Sequence, residues 1–167
     1  MQASLTGHLV FSTIHTNDAP TVFNRLIDMG VEPFLVSSSL VAVLAQRLVR
    51  RLCSECKEPF RPTSSELAQI GARSSDVDGY TVYRPVGCPE CLSTGYRGRA
   101  GIFELLMVDD DVRALVTARK SAGAVRKVAL AHGMASLRED GLRKMLEGVT
   151  SLDEVLRVTQ EDLEVEA

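Results

Sequence analysis

Four cysteines fall in two matched pairs, Cys53-Ser54-Glu55-Cys56 and Cys88-Pro89-Glu90-Cys91. Each C-x-x-C pair can present two thiolates from one tight turn. Two such pairs complete a closed tetrahedral shell of the kind that holds structural zinc. The 31 residues between the pairs exceed the usual finger spacing, so the intervening loop reads as an insertion hung on the metal. Two disulfides, or four ordinary buried thiols, are the competing readings. No signal-peptide pattern opens the chain, so it reads as cytosolic, where disulfides rarely persist. The matched pairs argue against unrelated thiols. The expectation is structural Zn²⁺ on Cys53, Cys56, Cys88 and Cys91, with no open position left for catalysis.

A second constellation is His8-Leu9-Val10-Phe11-Ser12-Thr13-Ile14-His15-Thr16-Asn17. Residues 8–14 are apolar and β-rich, as in a parallel strand buried on both faces. The histidines are seven positions apart, which would put them on opposite faces of an ideal strand. They can serve one ligand only if the strand ends before His15. Thr16-Asn17-Asp18, with Pro20 in the first turn, reads as a helix start and supplies that end. His15 then lies in the loop at the carboxyl end of a parallel strand, where open α/β sheets hold ligands. Its imidazole could donate to a phosphate oxygen; a satisfied structural histidine is the plainer alternative. A third cluster, Gly95-Tyr96-Arg97-Gly98-Arg99-Ala100-Gly101, could turn sharply and offer guanidinium groups to an anion, or merely carry solvated arginines. His132, near a helix C-terminus, is accounted for by the helix dipole.

The elements that must position these residues follow from periodicity and punctuation. A helix is expected from about Asp18 to Met29, ended by Gly30. Phe34, Ser37, Val41, Leu44, Leu48 and Leu52 recur at three- and four-residue steps, which predicts one amphipathic helix with Arg47, Arg50 and Arg51 in its last turns. Between Cys53 and Cys91 the chain is rich in Pro, Ser and Gly. A short helix there opens on the capping box Thr63-Ser64-Ser65-Glu66, and residues 80–84 alternate like a strand. This segment has too little apolar material to hold itself together. A strand over 101–108 and three helices follow, capped near Asp109 and ended by Gly133 and Gly148. Ser151-Leu152-Asp153-Glu154 opens a last short helix with a second capping box. The acidic end from Glu161 to Ala167 is expected to fray.

Composition narrows the function. The chain has 167 residues and is 45% apolar, enough for a sizeable core. A formal charge of -3 gives no reason to expect nucleic acid as partner, which disfavours a zinc-ribbon nucleic-acid protein. The longest apolar run, residues 40–45, is far too short to span a bilayer, so no transmembrane segment is expected. A lone buried strand at the start is not a fold, and the chain is expected to begin inside a larger domain.

Together these residues resemble the secretion ATPase superfamily of type II secretion and type IV pilus assembly. Residues 5–18, Leu-Thr-Gly-His-Leu-Val-Phe-Ser-Thr-Ile-His-Thr-Asn-Asp, look like its His box. Residues 46–53 resemble the lead into its metal-binding insertion, and 95–99 with Gly101-Ile102-Phe103-Glu104 the return to the core. Residues 149–159 resemble its C-terminal end. The likeness covers essentially the whole chain, and Glu32 to Leu40 leans toward the type II branch. The pilus-retraction branch usually lacks the cysteines and is set aside.

The resemblance implies an α/β fold: the C-terminal part of a RecA-like ATPase domain, with a four-cysteine zinc-binding insertion and a C-terminal helical subdomain. The implied division is 1–52 for the core portion, 53–92 for the tetracysteine subdomain and 93–167 for the strand and helical subdomain. It implies ATP and Mg²⁺ as cofactors of the complete enzyme. It further implies a cytoplasmic homo-hexamer peripheral to the inner membrane, docked on secretion or pilus platform proteins. His15, with His8 beside it in the same box, becomes the residue expected near the γ-phosphate. Arg99 and Arg25 fit arginines near the nucleotide or subunit boundary. The phosphate-binding loop precedes the His box in this family, and no G-x-x-x-x-G-K-[ST] occurs here. The chain by itself is therefore expected to be inactive, and its uncovered first strand to pair with another copy, swap or detach. The competing class is a stand-alone zinc-containing interaction module without nucleotide chemistry.

Overall fold

The computed structural model describes residues 2–160. In chain order the elements are α1 (Gln2–Leu5), α2 (Thr21–Asp28), α3 (Pro33–Ser39), β1 (Ala42–Leu52), β2 (Glu58–Phe60) and α4 (Ser64–Gln69). They continue with β3 (Val82–Arg84), β4 (Tyr96–Met107), α5 (Asp110–Thr117), α6 (Ala122–Ala131), α7 (Leu137–Leu146) and α8 (Leu152–Val158). The protein is thus a mixture of helices and strands, with β1 beside β4 and β2 beside β3. The Val108 N–H donates to Val41 O at 2.9 Å and the Cys53 N–H to Gly95 O at 3.0 Å, so β1 and β4 run antiparallel. The chain forms two compact units. Among the described residues, one contains 2–45 with Glu104–Ser136, the other Gln46–Phe103 with 137–160.

In the first unit, Phe23 and Val22 of α2, Val36 of α3 and Val112 and Val116 of α5 are buried together with Val125 and Ala129 of α6. Asp109 caps α5 by accepting from the Val112 N–H at 2.9 Å. Its other oxygen lies 2.6 Å from His132 Nδ1 at the end of α6. Asp109 thereby raises the His132 imidazolium above its ordinary range, so the contact adds to the dipole account of this residue.

Two expectations for this part of the chain fail. Residues 8–14 are not a strand. They have no regular structure, and Leu9 and Phe11 are 79% and 90% exposed. A strand persists through its ladder of hydrogen bonds, and among the described residues no strand lies beside this segment. Nor do residues 34–52 form one helix. α3 ends at Ser39, Leu40 turns extended, and β1 follows. Ser37, Ser38 and Ser39 all donate their hydroxyls back to carbonyls of α3, which weakens a helix end. Beyond them Val43, Ala45, Arg47 and Val49 are turned inward at a period of two, while Leu44 and Leu48 are exposed. Pairing with β4 decides between two periods that these residues fit equally well. Arg47, Arg50 and Arg51 therefore sit on a strand, and the dipole account of them falls.

In the second unit, β2 and β3 pair antiparallel with Glu58 opposite Arg84 and Phe60 opposite Val82. The expected box at α4 is complete: Thr63 and Glu66 each accept from the other's backbone N–H. The insertion lacks an independent core, as its composition suggests, and borrows one. Leu67, Ile70, Ala72 and Val82 pack with Met145 of α7 and Leu152 and Val155 of α8. Gly141 of α7 permits that packing, because a Cβ there would meet Val155 Cγ1 at 2.6 Å.

The second expected capping box is only half present. Ser151 accepts from the Glu154 N–H, but the Glu154 carboxylate turns elsewhere. It is fully buried, accepts the Arg50 backbone N–H at 2.9 Å, and binds the guanidinium groups of Arg50 and Arg157 at 2.7 Å each. Burial, the largest single influence, pushes its pKa up. The hydrogen bonds from Arg157 and Arg50 outweigh it and hold the carboxyl at about 2. A folded-state value below the ordinary one means stability that is present above about pH 4.5 and lost as the pH falls toward about 2. Glu154→Gln should cost roughly 3 kcal/mol at pH 7 and flatten the acid limb of the melting-temperature profile between about pH 5 and 2. An unchanged acid limb, read by circular dichroism melts, would refute this account.

Candidate functional site

Cys53 follows the last residue of β1, and the Lys57 N–H closes a turn on the Cys53 carbonyl at 3.0 Å. The second pair sits in a 3₁₀ turn, Pro89–Cys91, with the Ser93 N–H returning to the Cys88 carbonyl at 2.9 Å. Glycine is required at both flanks of that turn. Gly87 has φ +117, and a Cβ there would meet Ser93 O at 2.7 Å. Gly95 has φ +76, and its Cβ would meet Pro85 Cβ at 2.4 Å.

These turns bring the four sulfurs together. Sγ–Sγ distances are 3.9 Å for Cys53–Cys88, 3.8 Å for Cys56–Cys91 and 3.7 Å for Cys88–Cys91, and all four lie within 4.8 Å of one another. A disulfide needs about 2.05 Å, so these are free thiols and not two bridges. A tetrahedral ion with sulfur at about 2.3 Å requires S–S edges of about 3.8 Å, and these three of the six edges match it. Backbone N–H groups of Gly87, Cys88 and Gly95 point at Cys56 or Cys91 sulfur at 3.2–3.3 Å, the outer layer of donors that a thiolate centre needs. Burial pushes the Cys88 thiol up to about 11. At Cys91 the same influence is overcome by the Cys88 and Gly95 N–H groups, which hold it down to about 6. The four cysteines are a site able to hold a metal ion.

The His15 region lies in the first unit. His15 is exposed and lines a shallow open depression with Thr16, Asn17, Thr21, Asn24, Arg25 and Asp28. The structure thus brings His15 and Arg25 to one place. His8 does not line it. That ring is exposed, with Nδ1 2.9 Å from Thr6 Oγ1. Arg99 is exposed on β4, in the second unit.

A buried charged group behind the depression is one that motif and spacing did not disclose. Arg126 Nη2 lies 2.5 Å from Asp18 Oδ2, and its Nη1 3.7 Å from Glu104 Oε2. Asp18 and Glu104 stand inside the motifs described above. Arg126 gave no signal except a place between Val125 and Ala129 on the apolar side of α6.

Among the described residues no helix is long and apolar enough to cross a membrane. Residues 1–157 match the family model described as type II/IV secretion system protein. The type II secretion system protein E of Pseudomonas aeruginosa is 52% identical over 97% of this chain, which covers 32% of that protein. The type II secretion system ATPase E of Vibrio cholerae is 50% identical over 96% of the chain, covering 31% of its own length. The type IV pilus assembly ATPase PilB of Thermus thermophilus is 49% identical over 96%, covering 18%. The chain spans a third or less of these relatives. With a match that takes in the His-box segment, both cysteine pairs and the helical end, the chain belongs to the type II/IV secretion system protein family.

Proposed function

We propose that this chain is the C-terminal part of a cytoplasmic, hexameric ATPase that powers pseudopilus or pilus assembly at an inner-membrane platform. The observation that carries it is identity near 50%, over nearly the whole chain, to proteins named as secretion and pilus assembly ATPases. The type II and pilus relatives are almost equally similar, so the reading covers both branches. In this reading residues 1–52 belong to a RecA-like core, 53–92 form the zinc subdomain and 93–167 the return strand and helical subdomain.

The metal is Zn²⁺, held by Cys53, Cys56, Cys88 and Cys91 in a structural role. An all-thiolate donor set with S–S edges near 3.8 Å favours it. Metal analysis after reducing purification should find one zinc per chain. Cys88→Ser should abolish it and accelerate amide exchange in 53–57 and 88–95. The residues around Leu67 and Ile70 should stay protected, because their packing against α7 and α8 is independent of the metal. Uniform protection in the zinc-free variant would defeat the structural role.

ATP with Mg²⁺ supplies the phosphoryl chemistry of the complete enzyme. His15 donates toward the γ-phosphate side, with Arg25 beside it supplying positive charge in the same depression. Arg99, and His8 at the start of the same box, are assigned nucleotide-side roles by resemblance alone. In the complete enzyme His15→Ala should lower kcat about 10²-fold and change KM for ATP little, since a contact that strengthens as charge moves acts on turnover. Arg99→Ala should lower activity with zinc content intact. Unaltered kcat in the first variant, or zinc loss in the second, would remove the corresponding role.

The chain of 167 residues carries no phosphate-binding loop, so nothing in it cradles the phosphates or positions magnesium. Purified and zinc-loaded, it should hydrolyse ATP at least about 10²-fold more slowly than the full-length enzyme. Turnover within about tenfold of the parent would show that the catalytic machinery has been misplaced.

A further inference from the structure

We propose that Arg126 is the positioning residue of the His15 loop, an inference that rests on the reading of His15 given above. The loop is held on both sides. Before it, Ile14 is half-buried against the core of the first unit. After it, Asp18 and Ala19 are buried and bound by side chains from elements distant in sequence. Asp18 Oδ2 meets Arg126 Nη2 at 2.5 Å, while its Oδ1 accepts the Thr21 N–H at 2.8 Å. Glu104 Oε1 accepts the Ala19 N–H at 2.8 Å, and its other oxygen faces Arg126 Nη1. The Thr16 hydroxyl donates to the Asp18 carbonyl at 3.0 Å. One guanidinium from α6 therefore fixes two carboxyl groups, and those fix the backbone of residues 18–21. Only His15, Thr16 and Asn17 lie between the two anchors, and all three line the depression.

A general stabilising role is the alternative, but it fits the geometry less well. Two carboxyl groups and a guanidinium are costly to bury, and apolar side chains of equal volume would stabilise a core at least as well. Such a cluster brings a fixed orientation instead. Arg126 Nε has no hydrogen-bond partner among the described residues, so the group is arranged around its two terminal nitrogens. Both point at the loop's anchors. A displacement of about 1 Å at a group that acts on transferring charge costs on the order of 10²-fold in rate.

The chain has three histidines, and this gives the test its control. His132 caps the same helix that carries Arg126, so its ring reports the integrity of α6. Ring resonances are measured in Arg126→Lys, which keeps the charge and loses the two-pronged contact. His15 should shift or broaden while His132 stays in place. If Arg126→Lys also displaces His132, the outcome is read from Asp18→Asn, which retains Arg126 and Glu104. Should His132 move with His15 in both variants, the cluster serves the whole unit and the proposal is overturned. A still His15 in a folded variant overturns it too.

In the full-length enzyme Arg126→Lys should lower kcat about 10- to 100-fold with KM for ATP within about twofold, and add nothing further to His15→Ala. Additive losses in the double variant count against the proposal. If His15→Ala leaves turnover intact while Arg126→Lys still moves the His15 ring, the catalytic reading of His15 fails and the positioning role stands. If His15→Ala is slow and Arg126→Lys changes neither ring nor rate, the positioning role alone fails.

Discussion

One interaction recurs at three places where this chain holds distant segments together: a buried carboxyl group accepts a remote backbone N–H and is neutralised by an arginine. Glu104 does so for Ala19 with Arg126, Asp140 for Phe103 with Arg143, and Glu154 for Arg50 with Arg50 and Arg157. A charged acceptor makes a stronger bond than a carbonyl, and the arginine removes the penalty of an isolated buried charge. In a chain with 5% aromatic residues and no tryptophan, these clamps supply orientation that bulky apolar contacts would otherwise give.

Two of the three clamps solve a specific problem. A two-stranded sheet leaves both outer edges with unpaired donors and acceptors, and is marginal alone. On β1 the Arg50 N–H goes to Glu154, the Arg50 carbonyl accepts from the Thr150 hydroxyl, and the Leu52 N–H reaches the Val149 carbonyl. On β4 the Phe103 N–H goes to Asp140. At these positions the polar groups that would invite another strand are taken up by α7, α8 and the turn between them. Arg50 then lies over the Tyr96 ring at 4.1 Å, and the Tyr96 hydroxyl reaches Ser151 at 2.7 Å. Lys57, one residue past Cys56, donates to the Gly148 carbonyl and covers the Tyr83 ring. The cysteine turns are therefore tied to the helical end by side chains as well as by the shared apolar cluster.

What was legible in the sequence was what depends on local chemistry. Matched cysteine pairs, the Thr63 box, the Asp109 cap and the glycines after α2, α6 and α7 each act within a few residues, and each is found. The segments misread were those whose state depends on a partner. Residues 8–14 carry strand-forming side chains, but propensity cannot supply the neighbour a strand needs. Residues 40–52 fit a helical stripe and a pleated face alike, and the ladder with β4 chose. The meeting of Asp18 and Glu104 with Arg126 was not legible, because burying a charge is improbable for any one of them and becomes sensible only when the three meet. Glu154 shows the same limit: its spacing to Ser151 promised a reciprocal cap, while Arg50 and Arg157 hold its carboxylate instead.

The base of the cysteine insertion has an evolutionary consequence. The chain enters at Cys53 and leaves at Gly95 across a single hydrogen bond, so the ends of everything between them are already adjacent. A stretch whose ends meet can be lengthened, shortened or exchanged as a cassette without moving what lies outside it. The freedom is not even along its length. α4 and Val82 are committed to packing on α7 and α8, whereas residues 73–79 are an exposed or half-buried 3₁₀ turn with its flanks. Among relatives of this chain, insertions and deletions should gather at that turn, leaving the spacing within each cysteine pair untouched.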